Sequence, residues 1–112
     1  MDEFQVNALQ RAYPTIESVE ATVKLPPNFV IPFGWRRDQL VDHIAQGCWS
    51  IIMALTERAM PGSFIHAVLM NDLMETFMRA DDMNTLCMWS YCNFLYNHVP
   101  GGMRQDYARK FK

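Results

Sequence analysis

Residues with chemical potential gather at two places in this chain. Pro61-Gly62-Ser63-Phe64 puts a small turn directly before an apolar, helix-like pattern. A helix starting there presents free backbone N–H groups and the positive end of its dipole. Ser63 suits the N-cap, so the turn is a candidate anion site with Ser63 and Phe64 as contacts. Trp35-Arg36-Arg37 sets two guanidiniums beside an aromatic plane, a trio able to hold a phosphate and stack a ring. The plainer readings are an ordinary cap and a solvated helix start. If one helix joins the two features, they stand some 35 Å apart at ~1.5 Å per residue and can meet only across an oligomer interface.

The remaining candidates carry less. His43, His66 and His98 fall on three different predicted helices, without HxxxH or HExxH spacing, so no metal and no cofactor is expected. Asn71-Asp72 interrupts the apolar run Ala67-Val68-Leu69-Met70 and Leu73-Met74. The pair reads as structural, with one member buried and hydrogen-bonded across a helical hairpin. No GxSxG, P-loop, GxGxxG or paired-carboxylate pattern occurs, and the expectation is a protein that is not an enzyme. Cys48, Cys87 and Cys92 make an odd count with no CxxC pair, which fits core thiols and a reducing cytoplasm.

The elements that must position these residues follow from periodicity and breakers. A short helix is expected from Asp2 to Ala12, stopped by Pro14. Thr15–Leu25 alternates weakly and reads as an edge strand or an extended arm. Pro26-Pro27-Asn28-Phe29-Val30-Ile31-Pro32 should run as an extended strap whose apolar residues cover the helices that follow or a neighbouring subunit. Three helices are then expected: Arg36–Ala59, Phe64–Arg79, and Asp82 to about His98 with Asp81 as its cap. Gly47 inside the first costs about 1 kcal/mol against Ala and signals close approach of a helix or a ligand. The fold class is therefore all-α, a three-helix bundle built on an antiparallel helical hairpin with an extended Pro-rich N-terminal arm. Its organisation is an N-terminal helix and extended arm over 1–35, a helical bundle over 36–102 and a basic tail over 103–112 that extends the fold or serves as a contact arm.

Composition narrows the function classes. Half of the 112 residues are apolar and the net charge is −2, so no basic field exists for general nucleic-acid binding. No apolar run approaches the ~18 residues of a membrane span. Nine methionines are several times the usual share. Six of them, Met60, Met70, Met74, Met78, Met83 and Met88, fall between the hairpin turn and the third helix. Methionine suits surfaces that repack against a partner, so this cluster reads as one surface and points to a homo-oligomer.

From about Met60 to Gly102 the chain resembles a group of small proteins of tailed bacteriophages and prophages. The matching residues are Met60-Pro61-Gly62-Ser63-Phe64, Ala67-Val68-Leu69, Asn71-Asp72-Leu73, Arg79-Ala80-Asp81-Asp82, Asn84, Tyr96-Asn97 and Pro100. That group often continues into a Gly-Ser-Pro and Trp-containing segment, where Gly101-Gly102-Met103-Arg104 and a basic tail stand here. The resemblance implies phage origin and no particular activity. A looser architectural similarity links the hairpin to phage anti-CBASS and anti-Thoeris sponges, small oligomers that sequester cyclic nucleotide or ADP-ribose signals; their charged helix motif is absent here. Together these imply a non-enzymatic inhibitor of host antiviral defence that binds such a signal in the host cytoplasm through Trp35, Arg36, Arg37, Ser63 and Phe64. The alternatives are an anti-CRISPR-like inhibitor acting on a host defence protein by direct contact, and a virion assembly component.

Overall fold

The Asp2 carboxylate accepts a hydrogen bond from the Phe4 amide at 2.8 Å and opens the first helix, α1 (Glu3–Ala12). A computed structural model describes residues 2–111, and its regular elements are all helical. Thr15 then caps α2 (Ile16–Glu20) in a reciprocal box with Ser18, each side chain accepting from the other's amide at 3.3 Å. The edge strand or extended arm expected over Thr15–Leu25 is thus corrected at Ile16–Glu20, which form a short helix. Weak alternation concealed a capping pair, and Val19, fully buried, anchors the turn on the core. The strap after it is non-helical, as its prolines require. Phe29 and Ile31 pack at the core edge, while Val30 and Phe33 face outward. Ser90 ties the segment down by donating to the Lys24 carbonyl at 2.6 Å.

The central element is α3 (Arg37–Leu55), which buries Leu40, Ile44, Cys48, Ile51, Ile52 and Leu55 along one stripe. It ends four residues before the expected Ala59. The Thr56 hydroxyl donates to the Ile52 carbonyl at 2.7 Å, Glu57 turns to φ 61°, and the Arg58 and Ala59 amides close on the Met53 carbonyl. The expected Phe64–Arg79 helix is two helices, α4 (Ser63–Leu69) and α5 (Leu73–Arg79). Asn71 between them adopts φ 57°, which Asn tolerates better than most residues, and Asp72 caps α5 through the Glu75 amide at 3.1 Å. The third expected helix also divides, into α6 (Asp82–Leu86), capped by Asp81, and α7 (Met88–His98). Cys87 separates them at φ −94°, ψ 3°.

After Gly102 at φ 92° the chain forms α8 (Met103–Arg109). This helix packs on α3 and α4, with Met103 and Tyr107 buried. Arg104 donates to the Leu69 carbonyl at 2.9 Å, covering the C-terminal end of α4. The tail therefore extends the fold. In place of three long helices, α1, α2, α4, α7 and α8 all contact α3. None of the described helices is long and apolar enough to cross a membrane.

Candidate functional site

The shortening of α3 decides the geometry of the site. Because the helix stops at Leu55, the chain turns back along it, and Gly62–Ile65 lie beside its middle. There a cleft of about 350 Å³ opens, lined by His43, Gln46, Gly47 and Ser50 of α3, by Gly62–Ile65, and by Asn84 and Tyr91. That volume is at the small end of ligand pockets. Its polar groups come from four elements. His43 Nε2 donates to Asn84 Oδ1 at 2.8 Å, and the Tyr91 hydroxyl donates to the same oxygen at 3.0 Å. These bonds fix the amide so that the Asn84 Nδ2 donors remain free of both partners. Burial pushes the Tyr91 hydroxyl well above the ordinary tyrosine range, so it stays protonated and remains a donor.

The floor of the cleft depends on Gly47. A Cβ at this position would lie 2.4 Å from Cε1 of Tyr91, so the missing side chain admits the ring, whose residue is 1% exposed. Phe64 meets Tyr91 edge-on at 5.8 Å between centroids. Close approach of a helix or a ligand was the expected reason for this glycine, and the approaching group is Tyr91 of α7.

The sequence-derived site residues separate into two groups. Ser63 and Phe64 line the cleft; Trp35, Arg36 and Arg37 do not. Ser63 is the first residue of α4 and not its N-cap, a place taken by Gly62, which has no side chain to cap. Phe64 is buried and shapes the wall. Trp35 is half-buried against the core, whereas Arg36 and Arg37 are exposed. Arg36 pairs with Asp38 at 3.2 Å, and that hydrogen bond holds the Asp38 carboxyl below the usual carboxylate range. Arg36 is the extended residue before α3 and Arg37 its first residue, so the pair stands at the N-terminal end of the helix, about 10 Å along its axis from His43. The 35 Å separation expected from an unbroken helix is corrected: the Ser63 turn folds back to the middle of α3.

Asn71 and Asp72, of which one was expected to be buried and hydrogen-bonded across the hairpin, are both exposed at the α4–α5 break. Their role is local geometry, a left-handed residue and a cap. All three histidines bridge elements distant in sequence. Besides His43–Asn84, His66 Nδ1 hydrogen-bonds the Tyr107 hydroxyl at 2.7 Å and His98 Nδ1 the Tyr13 hydroxyl at 3.1 Å. His43, Gln46, Ser50, Asn84 and Tyr91 are polar cleft residues that sequence reasoning did not place in a site, since no spacing pattern relates the α3 residues to Asn84 and Tyr91. No group of three His, Cys, Asp or Glu side chains suited to a metal occurs among the described residues. Comparison with family models, with curated proteins and with solved structures finds no match.

Proposed function

We propose that the chain is a phage-encoded, non-enzymatic protein that counters host defence by sequestering a nucleotide-derived signal of the cyclic-nucleotide or ADP-ribose type in the host cytoplasm. The observation that carries this reading is that two complementary features lie on one helix, a cleft beside the middle of α3 and an arginine pair at its N-terminal end. The cleft offers hydrogen-bonding groups, His43, Gln46, Ser50, Ser63, Asn84 and Tyr91, with an aromatic wall. That chemistry suits a base and a sugar. Arg36 and Arg37 lie about 10 Å further along the same helix, roughly the reach from a nucleobase to its phosphates, where a guanidinium pair suits an anion. A ligand that joins a ring to a phosphate by such a span fits both at once.

The phage part of the reading rests on the resemblance over Met60–Gly102, and the anti-defence part on the looser architectural similarity of the hairpin to phage sponges. Titration calorimetry and thermal shift with cyclic dinucleotides and ADP-ribose isomers test it. We expect one of these to raise the melting temperature. Arg36→Ala/Arg37→Ala should then weaken binding by about 10- to 100-fold, from the loss of charge-assisted bonds at roughly 1.5–3 kcal/mol. Asn84→Ala should weaken it without changing the salt dependence. No shift with any of these ligands sinks the reading.

A further inference from the structure

We infer that the cavity between α4, α7 and α8 is a binding site for a small amphipathic carboxylate, an acid with one negative charge and an apolar tail. The cavity measures about 400 Å³, within the range of small-ligand pockets. Cys92, Leu95, Tyr96 and Val99 stand at i, i+3, i+4 and i+7 and line it as one face of α7 and its C-cap. Val68 of α4 and the Pro100-Gly101-Gly102 turn extend this wall. Leu95 and Val99 are only half-buried, and no atom lies within 4 Å of the place a Cβ would take on either glycine, so the space is open to an apolar chain.

Charge selects the ligand. Arg104 is the one charged residue that lines the cavity, it is half-buried, and it enters none of the ion pairs among the described residues. Asp106, two residues on, is taken by Arg109. The Leu69 carbonyl accepts from Nη1 of Arg104, and Val68 and Asn71 on either side of that carbonyl both line the cavity, which sets the guanidinium at its wall. Nε and Nη2, the edge that grips a carboxylate by two parallel bonds, have no acceptor among the described residues. A partly desolvated cation served only by a neutral carbonyl is short of a counter-ion. A ligand cation finds no acid here, and a polyphosphate finds one positive charge where it needs several. A monoanionic acid with an apolar tail satisfies the wall and the guanidinium together. The inference is independent of what the His43 cleft binds.

The exposed thiol of Cys92 lies in the wall and reports occupancy. Its alkylation by iodoacetamide, a neutral reagent, is followed by mass spectrometry with octanoate, octanol, octylamine or acetate present. Octanoate should slow the reaction at least ~5-fold and saturably, with half-effect on the order of 1 mM for a ligand of its size. Octanol, octylamine and acetate should each need about 10-fold more for the same protection, because each lacks either the charge or the tail. Arg104→Gln keeps a donor for the Leu69 carbonyl but removes the charge, and should weaken octanoate about 10-fold while leaving octanol unchanged. Should this variant fail to fold, the order of the four ligands on the wild type decides. No protection by octanoate up to about 10 mM overturns the inference. So does protection by octanol or octylamine equal to that by octanoate, octanoate protection indifferent to Arg104→Gln, or octanoate binding seen by calorimetry that leaves Cys92 as reactive as before.

Discussion

Gly47 and its neighbours hold the most consequential residue-scale arrangement. In an exposed helix Gly→Ala gains about 1 kcal/mol of helix propensity. Here the added methyl would overlap the Tyr91 ring, which is boxed in by Phe64 and hydrogen-bonded to Asn84. Overpacking of this kind typically costs 1–3 kcal/mol. We therefore expect Gly47→Ala to lower the unfolding free energy in urea titration by about 1–2 kcal/mol, opposite in sign to the propensity scale. The thiols give a second prediction. Burial, with a smaller effect of Asp81, pushes the Cys87 thiol up to about 11 from an ordinary 9, and burial moves Cys48 further in the same direction. The unfolded chain releases the Cys87 proton first. Stability from the neutral buried thiol is therefore fully present below about pH 9 and is lost as pH rises through about 11. Equilibrium unfolding across that window should show the decline, and Cys87→Ala should flatten part of it. In the native protein at pH 8 a thiol reagent should modify Cys92 well before Cys48 and Cys87, because only Cys92 is exposed.

Elements differ in how firmly they are held. Helix α5 is fastened by one buried side chain, an Asp72 cap and the left-handed Asn71, so it belongs to the low-stability end of the molecule. Asp72→Ala should cost about 1 kcal/mol by removing the cap. Asn71→Val should cost about 1–2 kcal/mol through backbone strain, while Asn71→Gly should be neutral or better. Native-state hydrogen exchange is the informative measurement. Amides of α5 should accelerate in the first two variants while those of α3 keep their protection. The methionine excess resolves at this scale too. Met60, Met74 and Met78 face outward, whereas Met70, Met83 and Met88 pack at the core edge. The single methionine surface expected from the sequence is therefore divided between solvent-facing and gap-filling positions.

At the scale of the whole molecule, long-range polar links join the chain's ends to its centre. Tyr13–His98 connects α1 to α7, and His66–Tyr107 connects α4 to α8. Met103 is fully buried, so Met103→Ala should cost about 2–5 kcal/mol and lower the melting temperature by roughly 10 °C or more. A chain cut after Gly102 should lose cooperative melting in calorimetry, since it also strips His66 of its partner and α4 of Arg104. Apolar periodicity and breaker residues determined, without any structure, that the protein is mainly helical from about Arg36 to His98, that Asp81 and Pro100-Gly101-Gly102 bound the helices before the tail, and that Gly47 marks a close approach. Those are local properties, set by neighbours within a turn or two. Where the helices break was less legible, because Glu57, Asn71 and Cys87 leave the helix through backbone angles that apolar spacing does not encode. The cleft lay beyond sequence altogether. Which side of α3 receives the returning Ser63 turn, and that Asn84 and Tyr91 meet His43 there, depends on where α3 stops and how the later helices pack, and only tertiary packing decides that.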